Sequence, residues 1–128
     1  MRVVAAACAA VLWVSLSGPV SLAADSGATC EPNGTQLKLT AFDTKFDKNC
    51  LAAPASTAFT IDFSNLDRGI PHNVAIYEDE TARKVFFKGD LVDGPGKTTY
   101  SVGGLAAGTF FFRCDPHPDE MHGTFIVK

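Results

Sequence analysis

The sequence lacks the patterns that mark several large classes of protein. It has no internal repeat, no low-complexity segment beyond its first residues and no long amphipathic pattern of helical period. Acidic and basic side chains are interspersed without a long block of one sign, and the formal net charge is −3. These absences argue against nucleic-acid binding, which usually needs a basic face, and against a helical fold.

Recognisable catalytic motifs are also missing. The chain has only three histidines, and no Ser/His/Asp set, phosphate-binding loop or paired-carboxylate signal stands out. A reaction at a substrate would need such groups in named roles. We therefore expect a protein that is not an enzyme.

The only long apolar run, residues 3–16, is too short to span a membrane. A spanning helix needs about 20 apolar residues, and polar, glycine and proline residues interrupt this run before that length. Arg2 precedes it, and small residues follow up to Ala24, which is the pattern of a secretory signal. We predict that residues 1–24 are a signal peptide cleaved near Ala23 or Ala24. The mature protein would then be secreted or periplasmic, without stable membrane insertion.

Four cysteines divide unequally between the leader and the rest of the chain. Cys8 would leave with the leader, so three remain in an oxidising compartment. Cys30 and Cys50 bracket the first predicted strand and have no His or Met nearby, whereas Cys114 has both. We predict a Cys30–Cys50 disulfide, which would stabilise the fold by about 3 kcal/mol. The alternative is a lipidated Cys30, although the residues before it lack the large aliphatic side chain typical of such sites.

Short segments of alternating polarity predict β-strands separated by Gly, Pro and Asp turns. Residues 37, 39 and 41 share one apolar face, as do residues 59, 61 and 63. The pattern predicts an all-β, antiparallel Greek-key sandwich of about seven strands over residues 36–128. Residues 25–35 are expected to form a loose arm tied down by Cys30. The predicted strands are residues 36–42, 57–63, 72–77, 85–87, 98–102, 109–114 and 123–128.

Three soft or borderline metal ligands lie close together near the end of the chain. Cys114 ends a predicted strand, His117 follows across an Asp-Pro pair, and Met121 comes four residues later. His72, which opens an earlier strand after a proline, is the candidate for a fourth ligand. Two imidazoles, a thiolate and a weak axial thioether form the donor set of a blue-copper site. Other interpretations are a buried structural cysteine, a core methionine, or His122 as the axial ligand.

Two motifs give the chain a family resemblance. They are GIPHNVAIY at residues 69–77 and GTFFFRCDPHP at residues 108–118, followed by Met121 and by GTF at residues 123–125. Over residues 36–128 the sequence resembles a small cupredoxin, a type 1 blue-copper domain of the plastocyanin and halocyanin kind. The resemblance implies one copper ion with His72, Cys114 and His117 as equatorial ligands and Met121 as the axial ligand. It also implies that Asn73 ties the two ligand loops together near the sulfur.

The resemblance further implies a one-electron carrier that cycles between Cu(I) and Cu(II). The electron would pass through the edge of His117, among the apolar residues Ile70, Pro71, Pro116 and Pro118. We expect a monomer that meets a redox partner protein.

Two other functions use the same residues. One is an extracytoplasmic copper carrier or buffer that delivers the ion. The other is a zinc site built from His72, Cys114 and His117, against which the thioether of Met121 argues, because zinc prefers nitrogen, thiolate and carboxylate ligands.

Overall fold

The computed structural model describes residues 28–128, so the predicted signal peptide lies outside the described residues. Within this range the chain forms eleven strands joined by loops. No helix in this part of the chain is long and apolar enough to span a membrane. The strands are β1 (Gln36–Phe42), β2 (Lys45–Phe46), β3 (Cys50–Ala53), β4 (Phe59–Asn65), β5 (Pro71–His72), β6 (Ala75–Tyr77), β7 (Val85–Lys88), β8 (Val92–Asp93), β9 (Gly96–Val102), β10 (Gly108–Arg113) and β11 (His122–Val127).

Two sheets pack face to face as a sandwich. One sheet has the strand order β2-β1-β4-β9, and the other has the order β3-β11-β10-β6-β7. A small third sheet pairs β5 with β8. The chain passes from one large sheet to the other five times: between β2 and β3, between β3 and β4, between β4 and β6, between β7 and β9, and between β9 and β10. Most of the core contacts therefore join residues distant in sequence.

The core lies between the inner faces of the two sheets and follows the predicted period of two. Along β4 the side chains of Phe59, Ile61 and Phe63 are buried, while the residues between them are half-buried. Rings from opposite sheets meet in the core: the centroids of Phe59 and Phe125 lie 5.4 Å apart. Burying each such side chain contributes about 1.5–3 kcal/mol. These contacts fix the strand ends on which the candidate site is built.

The all-β sandwich is confirmed, but the strand count of seven and the purely antiparallel arrangement are wrong. Strands β1 and β4 pair in parallel, as do β3 and β11. The two-residue strands β2, β5 and β8 are too short to show any alternation. Strand β3 has three consecutive buried residues, so its sequence does not alternate either. The parallel pairs arise because the chain changes sheet before it returns to the neighbouring strand.

The predicted cysteine pairing is confirmed. Cys30 and Cys50 form a disulfide, with Cα atoms 6.0 Å apart, and Cys114 is a free, buried thiol. The described part of the N-terminal arm has further attachments: Glu31 forms an ion pair with Lys128, and the carbonyl of Thr35 accepts a hydrogen bond from the backbone of β4. The disulfide links the arm to the first residue of β3.

Candidate metal centre

The predicted ligands come from two separate parts of the chain and lie at one end of the sandwich. His72 ends β5, which is held by its pairing with β8. Cys114 directly follows β10, where the alternation of the strand buries Phe112 and Cys114 on the same side. His117 lies in the next loop, and Met121 directly precedes β11. The structure therefore brings the end of one short strand together with the loop between β10 and β11.

Three donor atoms form a compact triangle. The sulfur of Cys114 lies 3.5 Å from Nδ1 of His72 and 3.8 Å from Nδ1 of His117. The two Nδ1 atoms are 3.1 Å apart. A point equidistant from the three atoms lies about 2 Å from each, close to the bond lengths of about 2.0–2.3 Å from nitrogen or sulfur to a first-row metal ion. His72 and Cys114 are fully buried and His117 is half-buried. The residues therefore fit a small cation that prefers sulfur and nitrogen.

The loop that carries Cys114 and His117 is closed by its own backbone. His117 N–H donates to the carbonyl of Cys114 at 3.3 Å, Met121 N–H donates to the carbonyl of His117 at 3.0 Å, and Cys114 N–H donates to the carbonyl of Met121 at 2.8 Å. Pro116 and Pro118, which have no N–H to satisfy, fill the intervening positions. These backbone bonds fix the spacing of the ligands that the loop carries.

The two candidates for an axial ligand differ sharply in their surroundings. Met121 is fully buried. His122 is exposed, its ring stacks on Phe111 with centroids 5.6 Å apart, and its Nδ1 lies 2.9 Å from the carbonyl of Pro118. A side chain engaged on the surface in this way is a poor candidate, so burial favours Met121 over His122.

Asn73 connects the two ligand-bearing segments. Its side-chain oxygen accepts a hydrogen bond of 2.8 Å from the N–H of Asp115, the residue after Cys114. Its amide group donates to the carbonyl of Gly89 at 3.0 Å. Asn73 is almost fully buried, so these bonds have little competition from water. One side chain thus joins the segment of His72, the loop of Cys114 and the loop after β7.

Asp115 is the centre of a polar network that the sequence did not reveal. Its carboxylate accepts hydrogen bonds from the Tyr77 hydroxyl at 2.7 Å, from Arg113 Nε at 3.0 Å and from Asn73 Nδ2 at 3.1 Å. The ammonium of Lys88 is 3.5 Å away. Burial raises the pKa of Asp115, but these hydrogen bonds and the charge of Lys88 outweigh it and bring the pKa below its ordinary value. The carboxylate therefore remains ionised at neutral pH.

Another carboxylate, that of Asp67, contacts the candidate ligand His72 directly. Oδ2 of Asp67 lies 2.8 Å from Nε2 of His72, on the side of the ring opposite Nδ1. Asp67 also accepts hydrogen bonds from the N–H groups of Asp43 and Thr44. Burial raises its pKa, whereas these three hydrogen bonds lower it below the ordinary value. The spacing of Asp67 and His72 in the sequence gave no signal of this contact.

Burial sets the protonation of the free thiol. It raises the pKa of Cys114, and hydrogen bonds from the backbone N–H groups of Asn73 and His117 offset only part of that rise. The thiol form is favoured until a cation enters the triangle, because a coordinating metal ion deprotonates a thiol. Metal binding and proton release are therefore coupled at this site.

The comparison with known protein families shows which family the chain belongs to. The family model described as a cupredoxin-like domain matches residues 4–127, and the chain belongs to that family. The resemblance predicted from the two motifs is confirmed.

Curated relatives and solved structures agree with this membership. Plastocyanin of Vicia faba is 44% identical over 68 residues, covering 48% of this chain and 67% of the relative. Chloroplastic plastocyanin of Chlamydomonas reinhardtii is 36% identical over 74 residues, covering 54% of this chain and 50% of the relative. The alignments thus span about half of this chain.

Among solved structures, auracyanin A of Chloroflexus aurantiacus, described as a "blue" copper protein, superposes with a TM-score of 0.66 at 19% identity, covering 75% of this chain and all of that one. The auracyanin of Roseiflexus castenholzii gives a TM-score of 0.64 at 18% identity, covering 74% of this chain and 98% of that one. At these identities the likeness shows the fold.

Replacing Asp115 with Asn should destabilise the protein in a pH-dependent way. The folded-state pKa of Asp115 is depressed, so its contribution is fully present above the unfolded-state pKa of about 3.9 and is lost as pH falls through the folded value. We expect a loss of about 1–3 kcal/mol in the free energy of unfolding at pH 6, shrinking as pH falls below about 4.

Urea denaturation of the metal-free wild type and variant, at pH 6 and at pH 3, measures the loss of stability at each pH. Asp119→Asn, at an exposed position of the same loop, is the matched control and should change stability little at either pH. A loss for Asp115→Asn that is equally large at both pH values would show that the charge of this carboxylate does not stabilise the network.

Proposed function

We propose that this protein is an extracytoplasmic one-electron carrier that binds one type 1 copper ion through His72, Cys114, His117 and Met121. The observation that carries the proposal is the triangle of two imidazole nitrogens and one sulfur, with edges of 3.1, 3.5 and 3.8 Å. Its chemistry is that of the trigonal His₂Cys copper sites used in electron transfer. The membership of the cupredoxin-like family supports it.

Each ligand has a separate task in this proposal. Copper would supply the couple between Cu(I) and Cu(II). Cys114 and the two histidines would hold the ion as its strong donors, and the buried thioether of Met121 would be a weak fourth donor that Cu(I) tolerates. Because the backbone bonds of the loop and the core strands hold these residues, little has to move when an electron arrives.

The half-buried ring of His117 is the proposed point of electron entry and exit, since the other ligands are fully buried. Apolar side chains lie exposed at the same end of the sandwich. Ile70 precedes β5 and is 37% exposed. Leu66 and Leu91 are also exposed, and the buried side chain of Asn65 holds this end together by donating to the carbonyls of Ile70 and Val92. Leu91 lines the same surface depression as Pro116 and so extends the apolar surface that the sequence predicted from Ile70 and the prolines.

Retention of the ion is favoured over its delivery. Two of the three equatorial candidates are fully buried, and the third is half-buried, so an acceptor protein could reach the ion only past His117. The Met121 thioether likewise favours copper over zinc.

The extracytoplasmic location rests on two features. The first is the signal-like pattern of residues 1–24, which we infer to be removed in the mature protein. The second is the Cys30–Cys50 disulfide, which is stable in an oxidising compartment.

Copper loading of the mature domain should give an intense visible absorption band from charge transfer between the thiolate and Cu(II). Visible and electron-spin-resonance spectra measure it. Cys114→Ser should abolish the band, because the serine hydroxyl is not a thiolate. Met121→Leu should keep it, because the three equatorial donors remain. A wild-type protein that holds stoichiometric Cu(II), as its electron-spin-resonance signal shows, and is nevertheless colourless would contradict the proposal.

A positive charge on the apolar surface should slow electron self-exchange between two copies of the protein. Ile70→Lys places like charges where the two His117 rings must approach, and we expect a roughly tenfold lower rate at low salt, recovering as salt is added. Nuclear-magnetic-resonance line broadening in mixtures of reduced and oxidised protein measures the rate. Val85→Lys, on the edge strand β7 at a site that is 54% exposed, is the matched control and should leave the rate unchanged. Equal effects of the two substitutions would exclude the proposed surface.

A further inference from the structure

We propose that Asp67 is a positioning residue that orients His72 for the metal and lowers the reduction potential of the copper site. The inference rests on the proposed function, and it assigns a role to a buried carboxylate outside the ligand set. Asp67 is 7% exposed, and His72 is not exposed at all.

The contact fixes which nitrogen of His72 can bind a metal. Nδ1 faces the sulfur of Cys114 and the ring of His117, whereas Nε2 faces the carboxylate at 2.8 Å. An ionised carboxylate only accepts hydrogen bonds, so the proton of the neutral ring lies on Nε2 and the lone pair lies on Nδ1. Carboxylates in this position orient metal-binding histidines and raise their basicity.

The other hydrogen bonds of the carboxylate anchor it to a tight turn. Its oxygens accept the N–H groups of Asp43 at 2.6 Å and of Thr44 at 2.9 Å. These two residues form the turn between β1 and β2 and have φ angles of 53° and 54°, in the left-handed region that Asn and Gly adopt most readily. The carboxylate stabilises this turn, and the turn holds the carboxylate in place.

The backbone of Asp67 is fixed as well. Its N–H donates to Asn65 Oδ1 at 2.9 Å, and its carbonyl accepts the N–H of Ile70 at 3.2 Å. Gly94 approaches so closely that a Cβ there would lie 2.0 Å from the Asp67 carbonyl oxygen. A side chain held on this many sides cannot swing away from His72 when the charge of the site changes.

A fixed negative charge behind a ligand favours the oxidation state with the higher positive charge. The carboxylate is desolvated, so its field on the site is screened much less than that of a surface group. It therefore stabilises Cu(II) relative to Cu(I). Removing the charge while keeping the hydrogen bond should raise the reduction potential.

Asp67→Asn removes the charge but keeps the hydrogen bond, because its amide oxygen can still accept from His72 Nε2. We expect the ratio of Cu(I) to Cu(II) affinity to rise about tenfold, which corresponds to about 59 mV for a one-electron couple. Protein-film or solution voltammetry measures the potential. Asp93→Asn is the matched control: it removes an exposed carboxylate from β8, which pairs with β5, and it should shift the potential far less.

Repeating Asp67→Asn in a protein with a stabilised turn distinguishes a redox role of Asp67 from a role in folding alone. Asp43→Asn combined with Thr44→Gly gives the turn residues that adopt positive φ without help. In this background Asp67→Asn should cost less stability but should still raise the potential by the same amount. A potential shift that disappears along with the stability loss would overturn the inference.

The tautomer provides a readout that needs no copper. In metal-free protein, nitrogen-15 spectra of His72 should show a protonated Nε2 with a slowly exchanging proton, and Asp67→Ala should lose that protection. A wild-type ring protonated on Nδ1 instead would overturn the inference.

Failure of the inference and failure of the proposed function give different results. If wild-type protein forms the intensely coloured copper site but Asp67→Asn shifts its potential no more than Asp93→Asn does, the role of Asp67 is wrong and the electron carrier stands. If wild-type protein forms no such site, the proposed function fails and the redox role of Asp67 fails with it.

Discussion

The hydrogen bond between the Asn73 side chain and the Asp115 N–H is the constraint on which the site depends. His72 and Cys114 are 42 positions apart in sequence, and their donor atoms must lie within a few ångströms of each other. Residues immediately after each of them supply the link, at 2.8 Å. Because Asn73 also bonds to the carbonyl of Gly89, a shift of either loop would break bonds in three segments at once. The geometry of the triangle is thus a property of the protein fold.

Each ligand-bearing segment is also held by a carboxylate of its own. Asp67 contacts His72, and Asp115 gathers Tyr77, Arg113 and Asn73 beside the Cys114 loop. Both carboxylates are well supplied with hydrogen-bond donors, which lower their pKa values despite burial. Throughout residues 28–128, every buried side-chain nitrogen or oxygen atom has a hydrogen-bond partner. A fully satisfied polar network of this kind gives a rigid and specific arrangement.

Alternation of polarity predicted the strands with a solvent face and an inner face, such as β1 and β4, and local motifs predicted the ligand candidates. Both signals are contained in a short stretch of sequence. The two-residue strands β2, β5 and β8 escaped prediction because they are too short to show alternation. The parallel pairings escaped because they depend on which sheet the chain enters next. The roles of Asp67 and Asp115 escaped prediction because both carboxylates also depend on groups distant in sequence. Asp115 accepts from Tyr77 and Asn73, and Asp67 is anchored by the backbone N–H groups of Asp43 and Thr44. Composition and spacing give no sign of such contacts.

The central claim is that the protein builds the ligand triangle before the metal arrives. Crystal structures of the metal-free and copper-loaded mature protein test it most directly, through the positions of Cys114 Sγ and of Nδ1 in His72 and His117. The claim predicts that each of these atoms moves by no more than about 0.5 Å between the two structures, with the Asn73–Asp115 hydrogen bond intact in both. A metal-free structure in which the loop from Cys114 to Met121 is open, or in which His72 has rotated away from Asp67, would contradict it.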